Sequence, residues 1–229
     1  MTAMAMPRRV EPEWLDELPA EDPRALRSRR DLKRVNALMA NAGIVGGALP
    51  RDARRIAEIG AGDGAFALRL ARAMSPRAEG EITLLDRQDI AVPRTLEEFA
   101  RHGWKAHAVQ ADVFDWLRDA ATPAFDAIVA NLFLHHFEPL RLTELLALVA
   151  ARTRLFVACE PRRSAAALAG SRLLGLAGCN DVTRHDAVVS VRAGFRDQEL
   201  SALWPDGGDW ILEEGPRGLF SHCFTAMRR

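Results

Sequence analysis

The richest concentration of chemistry in this sequence is Glu58-Ile59-Gly60-Ala61-Gly62-Asp63-Gly64. Glycines at alternate positions permit a tight turn with positive φ and let a ligand approach the backbone with no Cβ in the way. Apolar residues lead in from Ile56 and a helical pattern follows from Asp63, so the turn joins a strand to a helix. The helix N-terminus then offers N–H groups to a polar ligand. Asp86 ends the next strand, 22 residues after Gly64. A carboxylate there can accept both hydroxyls of a ribose; capping a helix or facing solvent is its other reading. Asp112, after the third strand, can accept the exocyclic amine of adenine while the Val113 N–H donates to the ring. It can equally be the N-cap of the helix that begins there. Glu58, near a strand's carboxyl end, can meet the ammonium of an amino-acid moiety.

Three histidines could remove a proton from a hydroxyl, since imidazole titrates in the useful range. His135 and His136 sit in Asn131-Leu132-Phe133-Leu134-His135-His136-Phe137, after the fourth strand. Adjacent residues of an extended loop point apart, so one of them faces a pocket, and His136 is favoured. Alternatively both are structural. His185 lies in the polar run Asn180 to Asp186. That run could form a substrate lid, or a capping segment in which Thr183 starts a helix three residues before Asp186. Arg192 could pair with Asp186 or meet an anionic substrate. Glu160 is either a substrate contact or a solvated acid at a strand end.

Alternating elements must position these residues. Strands are expected at Arg54 to Ile59, Glu81 to Leu85, Ala106 to Val109, Phe125 to Ala130 and Arg154 to Cys159. Helices are expected between them at Asp63 to Met74, Pro93 to His102, Val113 to Ala120 and Pro139 to Ala151. Such alternation implies parallel strands joined by right-handed crossovers. Beyond Glu160, helices are expected at Ser164 to Leu176, Asp186 to Ala193 and Gln198 to Leu203. Two antiparallel strands, Trp210 to Glu214 and Phe220 to Ala226, would close the sheet around the turn Gly215 to Gly218. The N-terminal Met1 to Pro23 reads as a flexible or surface-hugging arm. A helix over Pro23 to Asn41 carries Leu26, Val35, Leu38 and Met39 on one face and ends at Gly43 and Gly46-Gly47. The fold class is therefore α/β, a Rossmann-like seven-stranded sheet with helices on both faces and an added N-terminal helix. Residues 1–45 form the arm and helix, a candidate active-site lid, and 46–229 the main domain.

The ordered set Glu58-x-Gly60-x-Gly62-x-Gly64, Asp86, Asp112 and Asn131 to Phe137 resembles the motifs of the class I S-adenosylmethionine-dependent methyltransferases. The likeness spans roughly residues 54–229, and Ser28 to Asn36 is similar to bacterial small-molecule methyltransferases. The resemblance implies that the glycines hold the methionine part of the cofactor, Glu58 its amino end, Asp86 the ribose and Asp112 the adenine. Arg87, Val113 and Asn131 complete the expected cofactor set. It also implies methylation of a small organic acceptor, preferably at a hydroxyl or phenol, with S-adenosylhomocysteine as product. One alternative is an NAD-dependent oxidoreductase, because Gly60-x-Gly62-x-x-Ala65 and Asp86 fit the dinucleotide fingerprint; Glu58, Asp112 and the final hairpin argue against it. Another is a protein that binds S-adenosylmethionine without turnover.

Composition narrows the field further. Lys and Arg (31) balance Asp and Glu (31) over 229 residues, which argues against a non-specific nucleic-acid binder. The six basic residues from Arg24 to Arg34 read as a solvated helix face. No apolar run reaches the ~18 residues needed to span a bilayer, and no apolar segment follows Arg8-Arg9 as a secretory signal would require. The three cysteines, Cys159, Cys179 and Cys223, are widely spaced and read as reduced thiols of a cytoplasmic protein. The histidines and acids lack a metal-ligand spacing, so no metal is expected.

Overall fold

The computed structural model describes residues 6–19, 21–74, 80–88, 93–205 and 208–229, apart from the side chains of Leu38 and Pro93. Residues 1–5 of the arm, and the place of Leu38 on its helix face, fall outside the described residues.

Seven strands form one sheet: β1 Arg55–Ile59, β2 Gly80–Asp86, β3 Trp104–Gln110, β4 Phe125–Asn131, β5 Thr153–Pro161, β6 Trp210–Arg217 and β7 Ser221–Arg228. Their spatial order is β3-β2-β1-β4-β5-β7-β6. β1 to β5 pair in parallel, whereas β7 runs antiparallel to both β5 and β6. The central strands read as near-continuous apolar runs because both faces are covered. Alternate side chains enter two separate cores. Ala57, Ile59, Ile128 and Ala130 pack on one face, and Ile56, Ala127, Val129 and Val157 on the other. Glu58 interrupts this apolar pattern and is only 1% exposed.

The helices are α1 Trp14–Glu17, α2 Pro23–Met39, α3 Asn41–Ala48, α4 Ala65–Met74, α5 Pro93–Arg101, α6 Val113–Arg118, α7 Pro139–Arg152, α8 Ala165–Leu173 and α9 Asp181–Ala193. Local chemistry sets their ends. Asp22 caps α2 through the Arg24 N–H, with Pro23 in the first turn, where its missing N–H costs nothing. Asp112 caps α6 and Ser164 caps α8. Among the described residues, no helix is long and apolar enough to cross a membrane.

Several elements differ from the sequence expectations. Gly43, Gly46 and Gly47 do not open a loop but lie inside α3. The chain breaks instead at Ala40, whose φ is 55°. A Cβ on Gly46 would sit 3.3 Å from Leu70 of α4, so the small residue lets α3 approach α4. α9 begins at Asp181, five residues earlier than Asp186, because Asn180 rather than Thr183 is its cap. Thr183 is buried, and its hydroxyl donates to Ser28 Oγ at 2.9 Å. α8 stops at Leu173, and only Ser201–Leu203 of the last expected helix is helical, as a single 3₁₀ turn. The hairpin strands run longer than expected. Pro216 pairs opposite His222 rather than sitting in the turn, which moves to Gly218, Leu219 and Phe220. An edge strand tolerates a proline because one side of it needs no N–H donor.

Residues 6–19 pack against the body. Arg8 donates to the carbonyls of Ala193 (2.8 Å), His135 (3.3 Å) and Phe137 (2.9 Å). Asp186 of α9 accepts the N–H groups of Trp14 and Leu15 at 2.9 and 3.0 Å, so one carboxylate holds the start of α1.

Candidate active site

β1 and β4 are central neighbours whose chain connections leave in opposite directions. That switch opens a crevice beyond their carboxyl ends, the usual ligand site of an open α/β sheet. A cavity of about 610 Å³ lies there, within the size range of small-molecule sites.

The glycine turn forms its floor. Gly60 has φ 71°, and a Cβ there would fall 2.2 Å from the Phe133 ring. Gly62 has φ 56° and open space where its Cβ would be, so its backbone is bare to the cavity. Asp86 shapes this floor as well as facing the cavity. Its Oδ2 accepts the Gly62 N–H and its Oδ1 the Gln88 N–H, both at 2.8 Å. Asp112 is the N-cap of α6, and Oδ1 takes both bonds, from Phe114 N at 2.8 Å and Asp115 N at 3.4 Å. Asp112, Val113 and Arg87 all line the cavity.

Glu58 is the most unusual member of the wall. Burial pushes its carboxyl well above the usual carboxylate range, and nearby Asp63 and Asp86 add to the effect. Its Oε2 has no hydrogen-bond partner. An orphaned carboxylate oxygen on a cavity wall calls for a donor from outside the protein. Asn36 Oδ1, on the facing α2, is likewise buried and unpartnered. Asn131 is engaged from the other side: its Oδ1 accepts from Asn41 Nδ2 at 2.8 Å, and Asn41 Oδ1 accepts from Ser221 Oγ at 2.8 Å.

The roof comes from the N-terminus. Arm residues such as Glu13 and Asp16 line the cavity beside Lys33 and Asn36 of α2. Lys33 forms an ion pair with Asp63 of the glycine turn, and Arg29 reaches Gln88 at 3.4 Å. α2 thus bridges the crevice.

The histidines separate sharply. His135 is 3% exposed and stands between two carboxylates, with Nδ1 2.8 Å from Glu160 and Nε2 3.3 Å from Glu13. Burial opposes its charge, but these two acids raise it to about 9. Burial likewise opposes ionisation of Glu13, yet the His135 bond and charge hold that acid at about 2. At neutral pH this is an imidazolium donating to two carboxylates. Glu160 also accepts the N–H groups of Phe133, Leu134 and His135, which fixes the loop after β4. That loop contains Leu132 at φ 54°, a conformation rare outside glycine. His136 packs against His135 with ring centroids 4.2 Å apart and the planes tilted by 33°, and lines the cavity. Burial first, then the His135 charge, lower its pKa below the ordinary histidine value. The shift favours the neutral imidazole, and Asp16 of the arm lies 3.7 Å from its Nδ1.

His185 is placed differently from the lid position expected of it. It stacks on Trp14 at 3.8 Å, its Nδ1 lies 2.9 Å from Asp186, and it is not part of the cavity wall among the described residues. Glu13, His135 and His136 bring one ligand atom each within 4.8 Å of one another. With Glu160 on the far ring nitrogen, the group is already satisfied as an ion-pair chain. Sequence reasoning missed Glu13, Asp16 and Asn36, because no local pattern links the arm and α2 to a loop more than ninety residues away.

Comparison with known proteins agrees with this geometry. The family described as "Methyltransferase domain" matches residues 56–154, which contain the glycine turn, Asp86, Asp112 and both loop histidines. That segment is similar to a methyltransferase domain, and the sheet order is that of the Rossmann-like methyltransferase fold. No curated protein matches this chain in sequence. Among solved structures it is similar to an O-methyltransferase family protein from Burkholderia thailandensis, with TM-score 0.64, 19% identity, and 91% of this chain and 61% of that one covered. It is also similar to the plantazolicin methyltransferase BpumL in complex with SAH, with TM-score 0.61, 13% identity, and 91% and 92% covered. A third is the magnesium protoporphyrin IX methyltransferase from Synechocystis with bound SAM, with TM-score 0.53, 12% identity, and 94% and 88% covered. The chain thus spans about three fifths of the length of the Burkholderia protein. Its donor set fits the family's cofactor, since an unpartnered buried carboxylate oxygen faces the cavity beside a glycine turn open to close approach.

Proposed function

We propose that the protein transfers a methyl group from S-adenosylmethionine to a hydroxyl, of phenol type, on a small organic acceptor. The observation that carries this reading is the place of His136 on the cavity wall at the carboxyl end of β4, where burial lowers its pKa and favours the neutral imidazole. S-adenosylmethionine supplies an electrophilic methyl on a sulfonium. The protein's part is to align the acceptor with that methyl, exclude water and remove the hydroxyl proton. His136 takes the proton on a ring nitrogen. His135 and Glu160 hold the loop that presents it, and burial, then its neighbour's charge, favour its neutral form. The arm and α2, within residues 1–45, act as the lid that keeps water out.

In the same reading, the backbone at Gly60 to Gly64 cradles the methionine part and Glu58 receives its ammonium. Asp86 accepts from the ribose, with Arg87 beside it. Asp112 accepts from the adenine against Val113, and Asn131 closes the floor. The acceptor is tested by incubating the protein with methyl-labelled cofactor and a panel of phenols, quinols and hydroxylated polyketides. The expected result is a labelled methyl ether together with S-adenosylhomocysteine. Labelling of amines alone would replace the hydroxyl reading.

The Glu58 assignment makes a thermodynamic prediction. The free protein carries a protonated Glu58 over pH values where an exposed carboxyl is ionised. A bound ammonium favours the carboxylate, so binding releases a proton. Affinity for S-adenosylhomocysteine is expected to rise with pH up to the raised pKa of Glu58 and then level. Calorimetry in buffers of different ionisation enthalpy measures the release, and Glu58→Gln is expected to abolish it. A proton count that is the same in the variant would move the ammonium to another partner.

A further inference from the structure

The corner where α8 meets the β6–β7 turn exposes large apolar side chains outside the cavity. Leu176 is 88% exposed, Leu219 64%, Leu173 58% and Phe220 40%. They belong to one surface. Phe220 lies against α8, for a Cβ on Gly170 would be 2.7 Å from its ring, and Leu173 follows one turn later on the same side of the helix. The chain after α8 continues through tight turns, with Leu176 N bonded to Leu173 O at 2.9 Å, so Leu176 stands at the tip. The Phe220 carbonyl accepts the Arg162 N–H at 2.8 Å, which ties the hairpin turn to the end of β5.

Within residues 161–180 and 215–220 every charged side chain is an arginine, three in the first segment and Arg217 in the second. Arg163 is buried against Glu199, but Arg172 and Arg217 are exposed. Arg162 reaches the Gly218 carbonyl at 3.3 Å, and Arg27 of α2 the Gly178 carbonyl at 3.1 Å. The Arg184 side chain passes beside Gly175. Among the described residues, Arg27, Arg162, Arg172, Arg184 and Arg217 enter no ion pair with an acid. Asp181 is exposed in the first turn of α9 and Glu213 on β6, while the side chains of Glu160 and Glu214, which adjoin these segments in sequence, are buried. A protein of zero formal net charge therefore concentrates positive charge around an exposed apolar tip.

We propose that this corner docks on an anionic lipid surface, with the leucines and Phe220 entering the headgroup boundary and the arginines meeting lipid phosphates. Apolar insertion and basic attraction add in this kind of binding. A second copy of the chain is a poorer occupant. A two-fold interface would set the same patch against itself, and the arginines of one copy would face those of the other. The corner lies at the carboxyl end of β5, the same end of the sheet as the cavity, so docking turns the catalytic end of the molecule toward the membrane.

The test is co-flotation of the full chain with vesicles of phosphatidylcholine alone and with about one third phosphatidylglycerol. Wild-type protein is expected to float with the anionic vesicles only, and to be released as salt rises. Leu173→Asp with Leu176→Asp is expected to lower the bound fraction at least ~10-fold, and Arg172→Gln with Arg217→Gln to lower it on anionic vesicles in the same direction. S-adenosylhomocysteine binding, unchanged in both variants, confirms that they fold. Absence of flotation, or variants that float like wild type, would overturn the proposal. So would a wild-type dimer that becomes a monomer in the leucine variant, which would assign the patch to a second copy.

Discussion

Gly62→Val is expected to abolish S-adenosylhomocysteine binding, by ~100-fold or more, in a protein that still folds. The effect is large because two penalties fall on one residue. Gly62 has φ 56°, where a β-branched residue is strained by roughly 1–3 kcal/mol. Its side chain would also fill the space above the glycine turn, since nothing in the protein lies within 4 Å of the added Cβ. That open space is what preserves the fold, for valine displaces no core atom. Gly60→Val is a different experiment, because its Cβ collides with Phe133 and disturbs the loop after β4 as well. Calorimetry with S-adenosylhomocysteine, alongside circular dichroism, checks the prediction. Unchanged affinity in folded Gly62→Val would remove the turn from the binding site.

The second large effect belongs to His136. Replacing it with Gln is expected to reduce turnover by roughly 10²–10⁴-fold with a hydroxyl acceptor. Affinity for S-adenosylhomocysteine stays near wild type, because a base acts on the acceptor. The pH profile adds an independent check. A base works as the neutral imidazole, and the His136 pKa lies below the ordinary histidine value. The wild-type rate is therefore flat through neutral pH and falls as pH drops through that lowered pKa. His136→Gln loses the acidic limb. His135 cannot supply it, since its acids hold it protonated up to about 9. Full activity in His136→Gln would mean that the acceptor ionises without a protein base.

The sheet was legible because each crossover leaves a periodic trace. Apolar runs at Ile56, Ile82 and Ile128 alternate with helical patterns, and glycine at positions 60, 62 and 64 marks the first turn between them. The final hairpin was legible as two strands, but its turn was not, because Gly215 and Pro216 look like turn residues until an edge strand is seen to carry them. Gly46 of α3 misled for a related reason: it sets the distance between α3 and α4, which no local rule contains. His135 and His136 are indistinguishable in sequence. What separates them is Glu13, 122 residues away, and Glu160, whose buried carboxylate is occupied by three backbone N–H groups and one imidazole.

The roof's attachment has a consequence for how the cavity opens. Among the described residues, the arm is held by carbonyls at Ala193, His135, Phe137 and Arg192, by the Asp186 carboxylate, by the Arg163 side chain donating to the Met6 carbonyl, and by Glu13 bonding to His135 and Ser190. None of these partners lies in a strand. The arm can thus detach as a local unfolding unit while the ladder from β3 to β6 stays intact, at a free energy well short of global unfolding. Each detachment strips His135 of one of its two acids and strips Asp186 of the start of α1. Entry to the cavity and the protonation of the loop beneath it are consequently one equilibrium, and amide exchange at Trp14 and Leu15 reports its position.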